Sequence, residues 1–168
     1  MYHVNRRKFL SLTAGTTGAT FLAQCGNRQG RTQNPQPLPP LYQSQEGLLE
    51  VNLTASNPTL NLANQPASPF AYNQQLPGPR LEAKPGDTIR IHFSNQLPQP
   101  TNLHYHGLHI PPTGTADNIF LDISPQDSFT YEFTLPENHP SGTFWYHPHR
   151  HGYVADQIFA GLAGLFIV

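Results

Sequence analysis

The sequence predicts an all-β domain, built as a two-sheet sandwich or Greek-key barrel, behind a disordered N-terminal leader and linker. Three observations carry this. Charged residues make up only 11% of the chain and proline reaches 18 of 168 residues, a composition of turns and loops rather than of a helical bundle. Apolar residues recur with period 2 in short runs bounded by turn signals. No segment repeats.

Residues 1–25 read as an export signal. A basic cluster, Asn5-Arg6-Arg7-Lys8, precedes a mild apolar stretch from Phe9 to Ala23, too short and too rich in Gly and Thr for a lasting membrane anchor. Arg6-Arg7 followed by Phe9-Leu10 resembles a twin-arginine signal, the alternative being an ordinary secretory signal with two arginines. Either predicts export, to a periplasm or the cell surface. Leu22-Ala23-Gln24-Cys25 resembles a lipoprotein cleavage box, although Gln24 stands where a small residue is usual. Lipidation of Cys25 would tether the domain to a membrane; otherwise Cys25 is a plain leader cysteine. Residues 26–45, with Pro35, Pro37, Pro39 and Pro40, read as a flexible or extended linker.

The domain itself is expected over residues 46–168. Leu49, Val51 and Leu53 alternate with polar residues. Pro85-Gly86-Asp87 is a turn signal, and after it Ile89, Ile91 and Phe93 alternate with Thr88, Arg90 and His92. That puts His92 on the solvent side of a strand. Phe129, Tyr131, Phe133 and Leu135 alternate in the same way. A short helix is expected over roughly 153–160. The closing run, Gly161 to Val168, is continuously apolar and fits a buried last strand. About seven strands are expected in all, and the chain stops where one such domain would finish.

Net charge is −1. The leader holds three of the nine basic residues and none of the ten acidic ones, so the remainder is near −4. That argues against a nucleic-acid partner. The single cysteine, Cys25, lies in the leader, leaving the domain no disulfide framework and no thiolate ligand. The only methionine is Met1.

Histidine is where the chemistry gathers. Seven of the nine histidines fall between His104 and His151. Two H-x-H pairs stand out: His104/His106 in Asn102-Leu103-His104-Tyr105-His106-Gly107, and His147/His149 in Gly142-Thr143-Phe144-Trp145-Tyr146-His147-Pro148-His149. In a strand, residues i and i+2 point the same way, about 6.6–6.8 Å apart along the chain. Each pair thus presents two imidazoles side by side, and two adjacent strands would present four. Imidazole suits copper, zinc, iron and nickel. No carboxylate joins the pattern, and without thiolate or thioether a blue-copper site is excluded. An all-imidazole site favours copper or zinc. His151 is expected beside the site or as a capping group, His109 and His139 as solvated loop residues, and Trp145 and Tyr146 as core and site wall.

The strings NLHYHGL and GTFWYHPHRHG, with DQIFAGLAGLFIV after them, resemble the N-terminal cupredoxin domain of multicopper oxidases, a family that includes laccases and bacterial copper-efflux oxidases. The likeness runs from about residue 47 to 168. It implies a cupredoxin-like fold and copper as the metal. It implies that His104 ligates a type 2 copper, and that His106, His147 and His149 ligate a type 3 pair. It also implies that an acidic residue assists protonation of reduced oxygen. Asp117 is the candidate, although its spacing is longer than usual and Asn118 stands where Gly is common; the other reading is a loop aspartate in an Asx-type turn.

A complete oxidase of this kind also needs a type 1 copper held by Cys and His, and further histidines, from C-terminal cupredoxin domains. Neither H-x-x-H-x-H nor H-C-H occurs in these 168 residues. The chain is therefore expected to supply half of a trinuclear site for dioxygen reduction, with a second chain or C-terminal domains as partner. A secreted copper-storage module without turnover is the alternative. A non-functional remnant and, more distantly, a zinc hydrolase complete the field.

Overall fold

The computed structural model describes residues 38–168. The leader, the twin-arginine and lipoprotein-box readings, and residues 26–37 of the linker lie outside the described residues. Two sheets and a small ribbon organise the domain. The first sheet has the order β1-β6-β11-β10-β8 and the second β5-β2-β7-β9; β3 and β4 form the ribbon. In chain order these are β1 (Leu41–Gln43), β2 (Leu48–Ser56), β3 (Leu60–Leu62), β4 (Gln65–Ala67), β5 (Ala71–Tyr72), β6 (Arg80–Glu82), β7 (Thr88–Asn95), β8 (His104–His106), β9 (Ser128–Thr134), β10 (Thr143–His147) and β11 (Gly164–Ile167). One helix, α1 (Val154–Phe159), lies between β10 and β11.

Alternation explains the second sheet. Along β2, Leu49, Val51, Leu53 and Ala55 are buried while Glu50 and Asn52 face solvent. The parallel partner β7 buries Ile89, Ile91 and Phe93, paired in register with Leu49, Val51 and Leu53. On the outer face His92 is exposed, its Nε2 3.0 Å from Glu50 and its Nδ1 3.3 Å from Thr130, as a solvated strand histidine should be. The inner face meets the first sheet through aromatic edges. Tyr105 of β8 packs on Tyr131 and Phe133 of β9 with ring centroids 5.9 and 4.8 Å apart. Tyr146 and Phe166 complete that wall at full burial.

Three expectations change. The described residues form eleven strands, not about seven, because β1, β3, β4 and β5 are two or three residues long and too short to display a period. Leu41–Gln43, read as linker, pairs parallel with β6, so the chain enters the first sheet earlier than its composition indicates. The last strand is buried on one face only: Gly164 and Phe166 are buried, but Leu165 is 44% exposed. An unbroken apolar run does not distinguish one covered face from two.

Candidate metal centre

Antiparallel pairing of β8 with β10 assembles the site. The register sets His147 opposite His104, Tyr146 opposite Tyr105 and Trp145 opposite His106. Since Tyr105 and Tyr146 point into the core, the period of 2 turns His104, His106, Trp145 and His147 to the outer face of the first sheet. Gly107, at φ 90°, then ends β8: Leu108 N–H returns to Tyr105 C=O at 3.2 Å, and a side chain here would meet the Phe144 ring.

One ligand nitrogen from each of His104, His106 and His147 lies within 4.8 Å of the others. His104, His106 and His147 thus stand side by side on one face of one sheet. His149 differs. The ladder stops at His147, and His149 lies beyond it, its ring centroid 5.1 Å from His104 and 6.3 Å from His147. Strand geometry therefore accounts for three of the four predicted histidines.

Hydrogen bonds fix the imidazoles. His104 Nδ1 is 2.9 Å from both carboxylate oxygens of Asp117, and as their donor it leaves Nε2 free with its lone pair. The same carboxylate accepts Tyr105 N–H at 2.9 Å. His147 Nδ1 donates to Pro148 C=O at 2.9 Å, leaving the lone pair on Nε2. That nitrogen is 3.3 Å from His106 Nδ1. Burial pushes the His147 imidazole down to about 4, and neighbouring imidazoles push in the same direction. It is neutral at pH 7, the state a metal ligand requires. Trp145 lies 3.9 Å from the His147 ring and 5.2 Å from His106, a wall to the site, while Tyr146 belongs to the core.

Asp117 stands behind the cluster, bonded to His104 Nδ1 and not among the converging ligand groups. It lies thirteen positions after His104 in sequence, and the intervening loop folds back to bring the two together. It makes a side-chain contact with His104, not a local Asx turn. His139 is corrected: it is 4% exposed, donating from Nδ1 to Pro140 C=O and accepting His109 N–H at Nε2, at 2.9 and 3.0 Å. His109 itself is exposed. His151 is exposed and does not cap α1, whose N-cap is Tyr153 without a side-chain bond. It lines a groove of about 520 Å³ with His149, Ile119 and Phe120. Sequence reasoning passed over Asn102. Its signal was there: a polar residue two positions before His104, inside the NLHYHGL string.

The donor set suits copper. Three neutral-capable imidazoles converge, two with Nδ1 held by an oxygen, and imidazole is a good copper ligand. Comparison with known proteins agrees. The family model described as Multicopper oxidase matches residues 54–168. Laccase-2 of Cryptococcus neoformans is 40% identical over 115 residues, 62% of this chain and 19% of that protein. Copper resistance protein A of Escherichia coli is 34% identical over 102 residues, 60% of this chain and 16% of that protein. The chain thus spans about a fifth or less of the length of these curated relatives. Among solved structures, the multicopper oxidase from Campylobacter jejuni superposes with a TM-score of 0.68 at 30% identity, covering 79% of this chain and 28% of the other. A strand-built histidine cluster on a sandwich of this topology and a family match over two thirds of the residues lead to one statement: this chain belongs to the multicopper oxidase family and carries one of its cupredoxin-like domains.

Proposed function

We propose that residues 46–168 are the first domain of a laccase-like multicopper oxidase and supply half of a type 2/type 3 trinuclear copper site. The observation that carries this is the convergence of His104, His106 and His147, with ligand nitrogens within 4.8 Å of one another. Under this reading His104 holds the type 2 copper, and His106, His147 and His149 hold the type 3 pair. Copper bound there would supply the electron-transfer chemistry of dioxygen reduction.

The protein's own residues prepare that site. Asp117 orients His104 by accepting its Nδ1–H and keeps Nε2 directed outward. Its carboxylate is also the group proposed to hold a proton for delivery to reduced oxygen, because it is the acidic side chain bonded to a site histidine. Pro148 C=O does for His147 what Asp117 does for His104. Trp145 shields the His147 and His106 rings from water on one side.

The second half-site and the type 1 copper would come from residues beyond these 168, in the same polypeptide or a second chain. The one cysteine here, Cys25, precedes the domain. Export through a leader over residues 1–25 belongs to the same proposal, with lipid attachment at Cys25 as a variant. Among the described residues no helix is long and apolar enough to cross a membrane.

Copper titration joined to an oxidase assay tests the proposal. The purified chain should bind copper yet show no sustained oxidation of phenols or cuprous ion until the missing half is supplied. Sustained turnover by these 168 residues alone would overturn the half-site reading. Copper binding with no turnover, even beside C-terminal domains of a relative, would favour a storage module, which four imidazoles could also serve.

A further inference from the structure

The strand ladder cannot set the position of His149. Pairing between β8 and β10 ends at His104 and His147, and Pro148 follows at once. Gly152 turns the chain at φ 86° before α1. His149 therefore sits in a non-strand stretch, yet its ring centroid stands 5.1 Å from that of His104. Something outside the ladder must hold it.

We infer that Asn102 is the positioning residue for His149. Its side chain is fully buried and uses its oxygen and both amide hydrogens. Oδ1 accepts the His149 backbone N–H at 2.7 Å. Nδ2 donates to Ile119 C=O at 2.9 Å and Leu121 C=O at 3.0 Å. One amide thus joins three segments: the start of β8, the His149 stretch, and the loop that carries Asp117. No shorter polar side chain spans these partners, and no acidic one donates to two carbonyls at once.

Neighbouring contacts clamp the same stretch. Arg150 pairs with Asp122 at 2.6 Å. Thr101, next to Asn102, donates to the buried Gln157 of α1 at 2.8 Å, and Gln157 donates to Pro100 C=O at 2.9 Å. These contacts hold the chain after His149, and the β8–β10 ladder holds it up to His147. The inference rests on the proposal that His149 is a copper ligand, but its geometric part can be read without metal.

The test is a double-mutant cycle on copper affinity, measured by chelator competition, with backbone hydrogen exchange of the metal-free chain beside it. Asn102→Ala should weaken copper binding about 10-fold or more, as loss of an outer partner does. That loss should be clearly smaller in a His149→Ala background than in the unaltered chain. In the unaltered chain the His149 amide should exchange far more slowly than the His151 amide.

Wild-type affinity in Asn102→Ala, or additive losses in the double variant, would overturn the inference. Should Asn102→Ala fail to fold, the His149 exchange rate in the unaltered chain decides it: a freely exchanging His149 amide overturns it and a protected one supports it. Should the unaltered chain bind no copper, the proposed function fails, and the exchange rate alone then judges the role of Asn102.

Discussion

Replacing Asp117 with Asn alters one hydrogen bond and leaves shape almost unchanged. In the native site the carboxylate accepts from both His104 Nδ1 and Tyr105 N–H at 2.9 Å. Asparagine has one accepting oxygen. If that oxygen serves the Tyr105 N–H, the amide NH₂ faces His104 Nδ1, which must then accept. The imidazole proton moves to Nε2, the nitrogen proposed to face copper, and blocks it. Loss of such an outer partner costs about 10–100-fold in metal affinity, or roughly 1.4–2.7 kcal/mol. Copper affinity by chelator competition gives the magnitude, and ¹⁵N NMR of the His104 ring gives the tautomer. Copper affinity within about twofold of the original, with the proton still on Nδ1, would refute the reasoning.

Other expectations follow from the same geometry. A Cβ on Gly164 would clash with the Tyr146 ring across the β10–β11 pair, so Gly164→Ala should cost about 3 kcal/mol through overpacking, read from denaturant melts; an unchanged midpoint would contradict the packing. Tyr146 Oη donates to Pro79 C=O at 2.7 Å in the core, and Tyr146→Phe should lose roughly 1–3 kcal/mol. Tyr105 Oη is buried without a partner among the described residues, so Tyr105→Phe should be neutral or slightly stabilising; an equal loss in both variants would count against the contrast. Copper at 100 times its dissociation constant should raise stability by about 2.7 kcal/mol, an increment that should vanish when His147 and His149 are both replaced by Ala.

Much of this was legible in the sequence, for physical reasons. Long strands with one wet face write their period into the chain, as Leu49/Val51/Leu53 and Ile89/Ile91/Phe93 do. Strands of two or three residues do not, which is why β1, β3, β4, β5 and β6 carry no such signature. The closing apolar run concealed the open face at Leu165. At the site, H-x-H spacing foretold His104 and His106 on one face, and it named His147 and His149. It did not foretell that the strand would end at Pro148, so His149 arrives by another route. Contacts made by loop closure leave no local pattern. Asp117 was named by resemblance, but its contact with His104 is visible only in three dimensions. Burial of His139 was likewise hidden, since its partners, His109 and Phe144, come from separate segments.

Anomalous diffraction at the copper edge, from crystals of the copper-loaded chain, tests the central claim most directly. A peak within ligand distance of the converging nitrogens of His104, His106 and His147, absent when His147 and His149 are replaced by Ala, is the predicted result. Copper bound elsewhere on the domain, with that cluster empty, would contradict it.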